Sequence, residues 1–112
     1  MRNFILLSII LSSSLYGQEM VNNGDFESYS ACPDNAGQLS RADHWFTFGL
    51  SPEYFNACAD HDNLLVPSNS SGYQEDSTGN AYAGFIPIYG AGGYYREFLG
   101  TELVTPLTIG ET

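Results

Sequence analysis

No apolar run after residue 17 goes far before a turn-forming residue interrupts it. Asn22-Asn23-Gly24-Asp25, Cys32-Pro33-Asp34-Asn35-Ala36-Gly37, Pro67-Ser68-Asn69-Ser70-Ser71-Gly72 and Gly90-Ala91-Gly92-Gly93 divide the chain into pieces too short for packed helices. Glycine, proline and asparagine set such turns through their backbone preferences, so the pieces between them must be short strands or loops. An antiparallel, all-β arrangement is the class that accommodates this punctuation. Composition narrows the choice further. Aromatic residues make up 14% of the 112-residue chain, enough buried surface to argue against disorder. The formal net charge of -10, with 13 carboxylates against three arginines and no lysine, excludes a phosphate-neutralising nucleic-acid binder.

Residues 1–17 have the layout of a secretory signal peptide. Arg2 precedes the apolar stretch Phe4-Ile5-Leu6-Leu7-Ser8-Ile9-Ile10-Leu11, and Ser12-Ser13-Ser14 leads to Leu15-Tyr16-Gly17. The run is too short for a membrane span. Cleavage after Gly17 is expected to leave Gln18 as the first residue of a mature chain 18–112; an uncleaved anchor is the alternative. No other segment is long and apolar enough to cross a bilayer. The expected location is outside the cytoplasm: extracellular, on the cell surface or at the outer membrane.

Export decides how Cys32 and Cys58 are read. They are the only two cysteines, and outside the cytoplasm an even count points to a disulfide. Closing that loop stabilises a fold by roughly 3 kcal/mol in the chain-entropy model. Zinc is the alternative, because His44 and His61 interleave with the cysteines, although only Cys58 and His61 have a suitable short spacing.

Along the chain, Asp43–Phe48 is an aromatic and β-branched run expected to form a strand. Ser51-Pro52-Glu53 opens a stretch to Cys58 with a turn or helix-start signal that admits a single helical turn there. Residues 60–80 read as a long connection, and Ala81–Ile86 as a strand with Gly84 marking close packing. Tyr94–Leu99 is read as strand over helix because Gly100 and Thr101 break the helical spacing of Tyr95, Leu99 and Leu103. Leu103–Ile109 continues in β composition.

Three segments resemble one family of exported modules. Met20-Val21-Asn22-Asn23-Gly24-Asp25-Phe26-Glu27 is similar to the opening motif of galactose-binding-like, carbohydrate-binding-module-like jelly rolls. Ala42-Asp43-His44-Trp45 resembles their single tryptophan after the first loop. Leu103–Thr112 resembles a late strand and its glycine turn. Cys32-Pro33, Ser51–Cys58, Gly79–Gly84 and Tyr95–Phe98 are similar to N-terminal modules of exported proteins from gliding-type Gram-negative bacteria, some with an outer-membrane-protein-A-type domain further along. The resemblance implies a jelly-roll sandwich and a structural calcium ion near the opening turn, with Glu27 as a ligand. Asn23, Asp25 and Glu27 place side-chain oxygens at alternate positions, the hard donors that calcium takes. A solvated acidic turn is the alternative.

No Gly-x-Ser-x-Gly, His-Glu-x-x-His or phosphate-cradling loop is present, and the scattered carboxylates single out no catalytic pair. The chain is therefore read as non-catalytic. Sugar recognition needs aromatic rings to stack on pyranose faces and polar groups for the hydroxyls. Tyr73, Tyr89, Tyr94 and Asn80 are the expected ligand-binding residues, within an inventory that also holds Tyr54, Tyr82, Tyr95, Asn69 and Gln74. Asn69-Ser70-Ser71 fits an N-glycosylation sequon, and Asp76-Ser77-Thr78 resembles a bacterial O-glycosylation motif.

The expectation is an exported binding module for polysaccharide or another surface glycan, with calcium as its one cofactor and no nucleic-acid partner. A structural spacer or protein–protein adhesion module is the rival, and an accessory domain of a secreted hydrolase a third reading. Five or six strands are foreseen against about eight for a jelly roll, so the sandwich is expected to be truncated at its C-terminal side, with further domains of the parent protein beyond Thr112.

Overall fold

The computed structural model describes residues 19–88, 90 and 95–110. The expected signal peptide, Tyr89, Tyr94, Glu111 and Thr112 lie outside the described residues. Six strands and two single-turn 3-10 helices are present, with no α-helix among the described residues. The strands are β1 (Trp45–Gly49), β2 (Glu53–Asn56), β3 (Ser68–Asn69), β4 (Gly72–Tyr73), β5 (Ala81–Gly84) and β6 (Glu97–Thr101). They pair as three antiparallel two-stranded sheets, β1 with β6, β2 with β5 and β3 with β4. The class is all-β, and no helix among the described residues is long and apolar enough to cross a membrane.

Three local readings are corrected. Ser51–Cys58 forms no helical turn: Glu53–Asn56 is β2, since the alternation of Tyr54 and Phe55 with partners on β5 outweighs the Ser-Pro start signal. Leu103–Ile109 is not a strand. Only Leu103 bridges, to Val21, with the Val104 N–H donating to the Met20 carbonyl, and Pro106 has no N–H to continue a ladder. Within the 60–80 connection, a 3-10 turn (Asp62–Leu64) and the two-residue strands β3 and β4 interrupt the expected long connection.

Zinc is overturned as well: Cys32 and Cys58 are joined in a disulfide with Cα atoms 5.6 Å apart, which leaves no thiolate to ligate a metal. The bridge ties the 31–38 loop to the end of β2. Arg41 holds the same loop by hydrogen-bonding the Cys32 carbonyl and by pairing with the Asp34 carboxylate at 2.8 Å.

The core is small. Leu39, Ala42, Tyr54, Phe55, Leu64 and Ala81 are its buried apolar residues, with Pro33 and Pro52 fully enclosed beside them. Ala42, Tyr54 and Ala81 make the central cluster, and Phe26 and Trp45 pack against it. Tyr54 brings a polar atom into this core and needs a partner there. Its hydroxyl donates to the Phe26 carbonyl at 2.8 Å and accepts from Asn56 Nδ2 at 2.8 Å, while Asn56 Oδ1 accepts the Cys58 N–H. A continuous polar chain thus links the opening turn to the disulfide.

Candidate functional site

The opening segment 21–28 folds back on itself so tightly that three non-glycine residues take left-handed backbone conformations around it. These are Asn23 (φ 53°), Phe26 (φ 63°) and, across from them, His44 (φ 69°). Asparagine tolerates this region because its short side chain bonds locally, whereas a phenylalanine there is strained by roughly 1–2 kcal/mol. Strain of this kind persists only where surrounding contacts over-determine it. Here they do. The Phe26 ring stacks on Trp45 with centroids 4.6 Å apart, its carbonyl takes the Tyr54 hydroxyl, and Trp45 Nε1 donates to the Asn23 carbonyl at 2.8 Å.

Two concave surfaces flank this turn. One is a groove of about 340 Å³ between the turn and the segment leading into β5, lined by Asp25, Phe26, Ser77, Thr78, Ala81 and Tyr82. Tyr82 is fixed from behind, where its hydroxyl accepts from Asn69 Nδ2 at 2.7 Å and its ring lies 5.4 Å from Phe55. Two aromatic residues held in place from behind therefore line the groove together with Ser77, Thr78 and Asp25. On the other side lies an open acidic cleft, with Glu19, Asp25 and Glu27 along it and His44 at its edge. Asp25 belongs to both.

Residues singled out from the sequence fall in several places. Glu27 reaches across to the β5 side, where its carboxylate accepts the Asn80 N–H at 2.6 Å. Gly79 makes this possible: at φ 91° it sits so close to Glu27 that a Cβ would collide with the carboxylate. Asn80 thus helps to clamp the groove through its backbone. Asn23 uses its whole side chain internally, donating through Nδ2 to the carbonyls of Ser28 and Asp43, each at 2.8 Å, and accepting the Ser28 N–H through Oδ1. Asp25 Oδ1 faces the Glu27 N–H at 3.4 Å and is otherwise exposed. Among the described residues, no group of three or more His, Cys, Asp or Glu is arranged to hold a metal ion.

Tyr73 lies on β4, away from the groove lining and 68% exposed. Its hydroxyl donates to Glu75, and that bond, with the carboxylate charge, raises its pKa above the ordinary tyrosine value. The sequon residue Asn69 is half-buried, with Nδ2 bonded to Leu65 O and Tyr82 Oη and Oδ1 accepting the Ser71 N–H, so the nitrogen a glycan would need is engaged. Sequence reasoning had Tyr82 in its inventory but missed Phe26, Ser77, Thr78 and Asp25 as groove residues. Phe26 stood inside a recognised motif, and Ser77 and Thr78 inside another, but nothing in either motif says that the two segments face each other.

A third feature is a patch rather than a cavity. On one face of the β1–β6 pair, Phe46, Phe48 and Phe98 are 39%, 56% and 52% exposed. Comparison of the chain with protein-family models, with curated proteins and with solved structures gives no match.

Proposed function

We propose that this chain is an exported, non-catalytic binding module that takes a glycan in the groove between the opening turn and the approach to β5. The observation that carries the reading is the groove's lining: Phe26 and Tyr82, both immobilised from behind, beside the exposed hydroxyls of Ser77 and Thr78 and the carboxylate of Asp25. Apolar ring faces and a few convergent polar groups are what a pyranose needs. Pre-fixed side chains lower the ordering cost of binding. The antiparallel pairs are those of a jelly-roll sandwich in this reading. By the resemblance, the module stands at the front of a larger cell-envelope protein.

Affinity electrophoresis in polysaccharide gels, with a glycan array, tests the reading. The expected result is retardation by at least one polysaccharide, weakened about tenfold or more by the triple change Asp25→Asn, Ser77→Ala, Thr78→Ala with melting temperature unchanged. These three side chains are surface groups, so their loss removes recognition without opening the core. A protein that binds no glycan, or a triple variant that binds as well as the parent, defeats the proposal.

The exposed phenylalanines favour a second reading, a protein–protein adhesion module or spacer with the same fold and no sugar affinity. Apolar residues grouped on one strand face commonly mark contact surfaces. Under that reading Phe48→Ser removes association while the groove variants leave it untouched.

A further inference from the structure

We infer that the opening turn is locked without a bound cation, because the Asn23 side-chain amide fills the space between the two main-chain carbonyls that converge there. The resemblance implies calcium at this turn, held by main-chain carbonyls and Glu27. Calcium requires six to eight oxygen atoms converging at about 2.3–2.6 Å. Two carbonyls from segments far apart in sequence, Ser28 O and Asp43 O, do converge here. The atom between them is Asn23 Nδ2, 2.8 Å from each.

The identity of that atom follows from its partners. Two acceptors face one end of the amide and one donor, the Ser28 N–H, faces the other at 2.8 Å, so the nitrogen and oxygen cannot be exchanged without breaking all three bonds. The left-handed backbone of Asn23 folds its side chain over its own turn. An ion close enough to ligate both carbonyls would overlap this NH2 group.

Several of the other oxygens nearby are engaged too. The Asn23 carbonyl accepts from Trp45 Nε1 and from the Phe26 N–H, Asp43 Oδ2 accepts the Ser28 hydroxyl at 2.6 Å, and Glu27 Oε1 accepts the Asn80 N–H. The space between the two converging carbonyls therefore does not fit calcium, and the amide performs the ion's mechanical task of joining residues 23–28 to the approach to β1. A neutral amide needs no desolvated charge, so the lock holds where divalent cations are scarce.

The test uses the full chain as exported. Equilibrium dialysis with calcium alone is expected to show no site at millimolar concentration. Melting temperatures in calcium and in EDTA are expected to coincide for the parent and for Glu27→Gln. Asn23→Asp replaces the NH2 donor with a carboxylate oxygen facing two carbonyls; it is expected to melt several degrees lower in EDTA and to recover partly in calcium. A saturable calcium site in the parent, a parent melting temperature that rises with calcium, or an Asn23→Asp protein indifferent to calcium each overturns the inference. If Asn23→Asp does not fold, the parent's dialysis and melting curves decide the matter alone.

Discussion

The β2–β5 and β1–β6 pairs use the same local device and put it to opposite ends. In the first, the Phe55 ring lies over Gly84 of the partner strand, so that a Cβ there would come within 2.7 Å of the ring. In the second, Phe46 and Phe48 close over Gly100, their rings 5.1 Å apart and edge to face, with a Cβ limited to 2.8 Å from Phe48. Covering a strand glycine with an aromatic ring from the neighbouring strand restores the packing that glycine lacks. Phe55 is nonetheless 1% exposed and Phe48 is 56% exposed. The strands do not account for the difference; their surroundings do. Tyr82 packs on Phe55 with ring centroids 5.4 Å apart, both 3-10 turns lie against β2 with Leu39 and Leu64 buried, and the disulfide anchors the end of the strand. A glycine under a ring thus secures pairing, while loops decide which pair becomes core.

Truncating the ring in each pair is the most direct way to break this comparison. Phe55→Ala is expected to destabilise the protein by about 3–5 kcal/mol, as for a large core side chain, and Phe48→Ala by less than about 1 kcal/mol. Urea unfolding of the two variants measures both, and equal losses would show the β1–β6 face to be core as well.

Removing the bridge that walls one pair off comes next. Cys32→Ala with Cys58→Ala is expected to cost roughly 3 kcal/mol by the loop-entropy argument over a separation of 26 residues. The Asp34–Arg41 pair cannot replace it, since an exposed ion pair contributes little. Denaturant midpoints of parent and double variant decide this.

Tyr54 sharpens the comparison by pH. Burial, the largest influence, pushes its hydroxyl up to about 12, against which the bond from Asn56 works only in part. A folded value above the unfolded 10 means that its stabilisation is complete below pH 10 and is lost as pH rises towards 12. Phenolate absorbance in an alkaline titration is expected to show one tyrosine ionising only with unfolding. Tyr54→Phe should lose that late step and cost about 1–3 kcal/mol at neutral pH, because Asn56 Nδ2 then lacks its acceptor.

The smallest effect is expected at Asp34. Hydrogen bonding from Gln38, then Arg41, holds its carboxyl below the ordinary value of 3.8. Its contribution is present above 3.8 and fades as pH falls through the lowered value. An NMR titration of the Asp34 carboxyl should find it ionised below the usual range, and Asn at this position should leave the denaturation midpoint almost unchanged at pH 7.

The pairing of Cys32 with Cys58 was readable because two cysteines have one intramolecular solution. The strands at Trp45–Gly49, Ala81–Gly84 and Glu97–Thr101 were also near their expected places, since β-branched and aromatic runs between turn residues have few other uses. β2 was misread, because Ser51-Pro52-Glu53 carries a local helix signal that only the distant β5 can override. The candidate site was less legible. Its groove joins residues 25–26 to residues 77–82, and such long-range juxtaposition leaves no trace in local pattern. The left-handed Phe26 was hidden too, because its conformation is imposed by Trp45 and Tyr54 rather than preferred by phenylalanine.

The stack of Phe26 on Trp45 also gives the protein an optical handle. Trp45 is the only tryptophan in the chain, and both its ring face and its indole N–H touch the opening turn. Its fluorescence therefore reports the docking of that turn against the Tyr54 cluster, uncluttered by any second indole. Emission wavelength and quenching by a neutral solute would follow the seating of residues 23–26 on that cluster in real time.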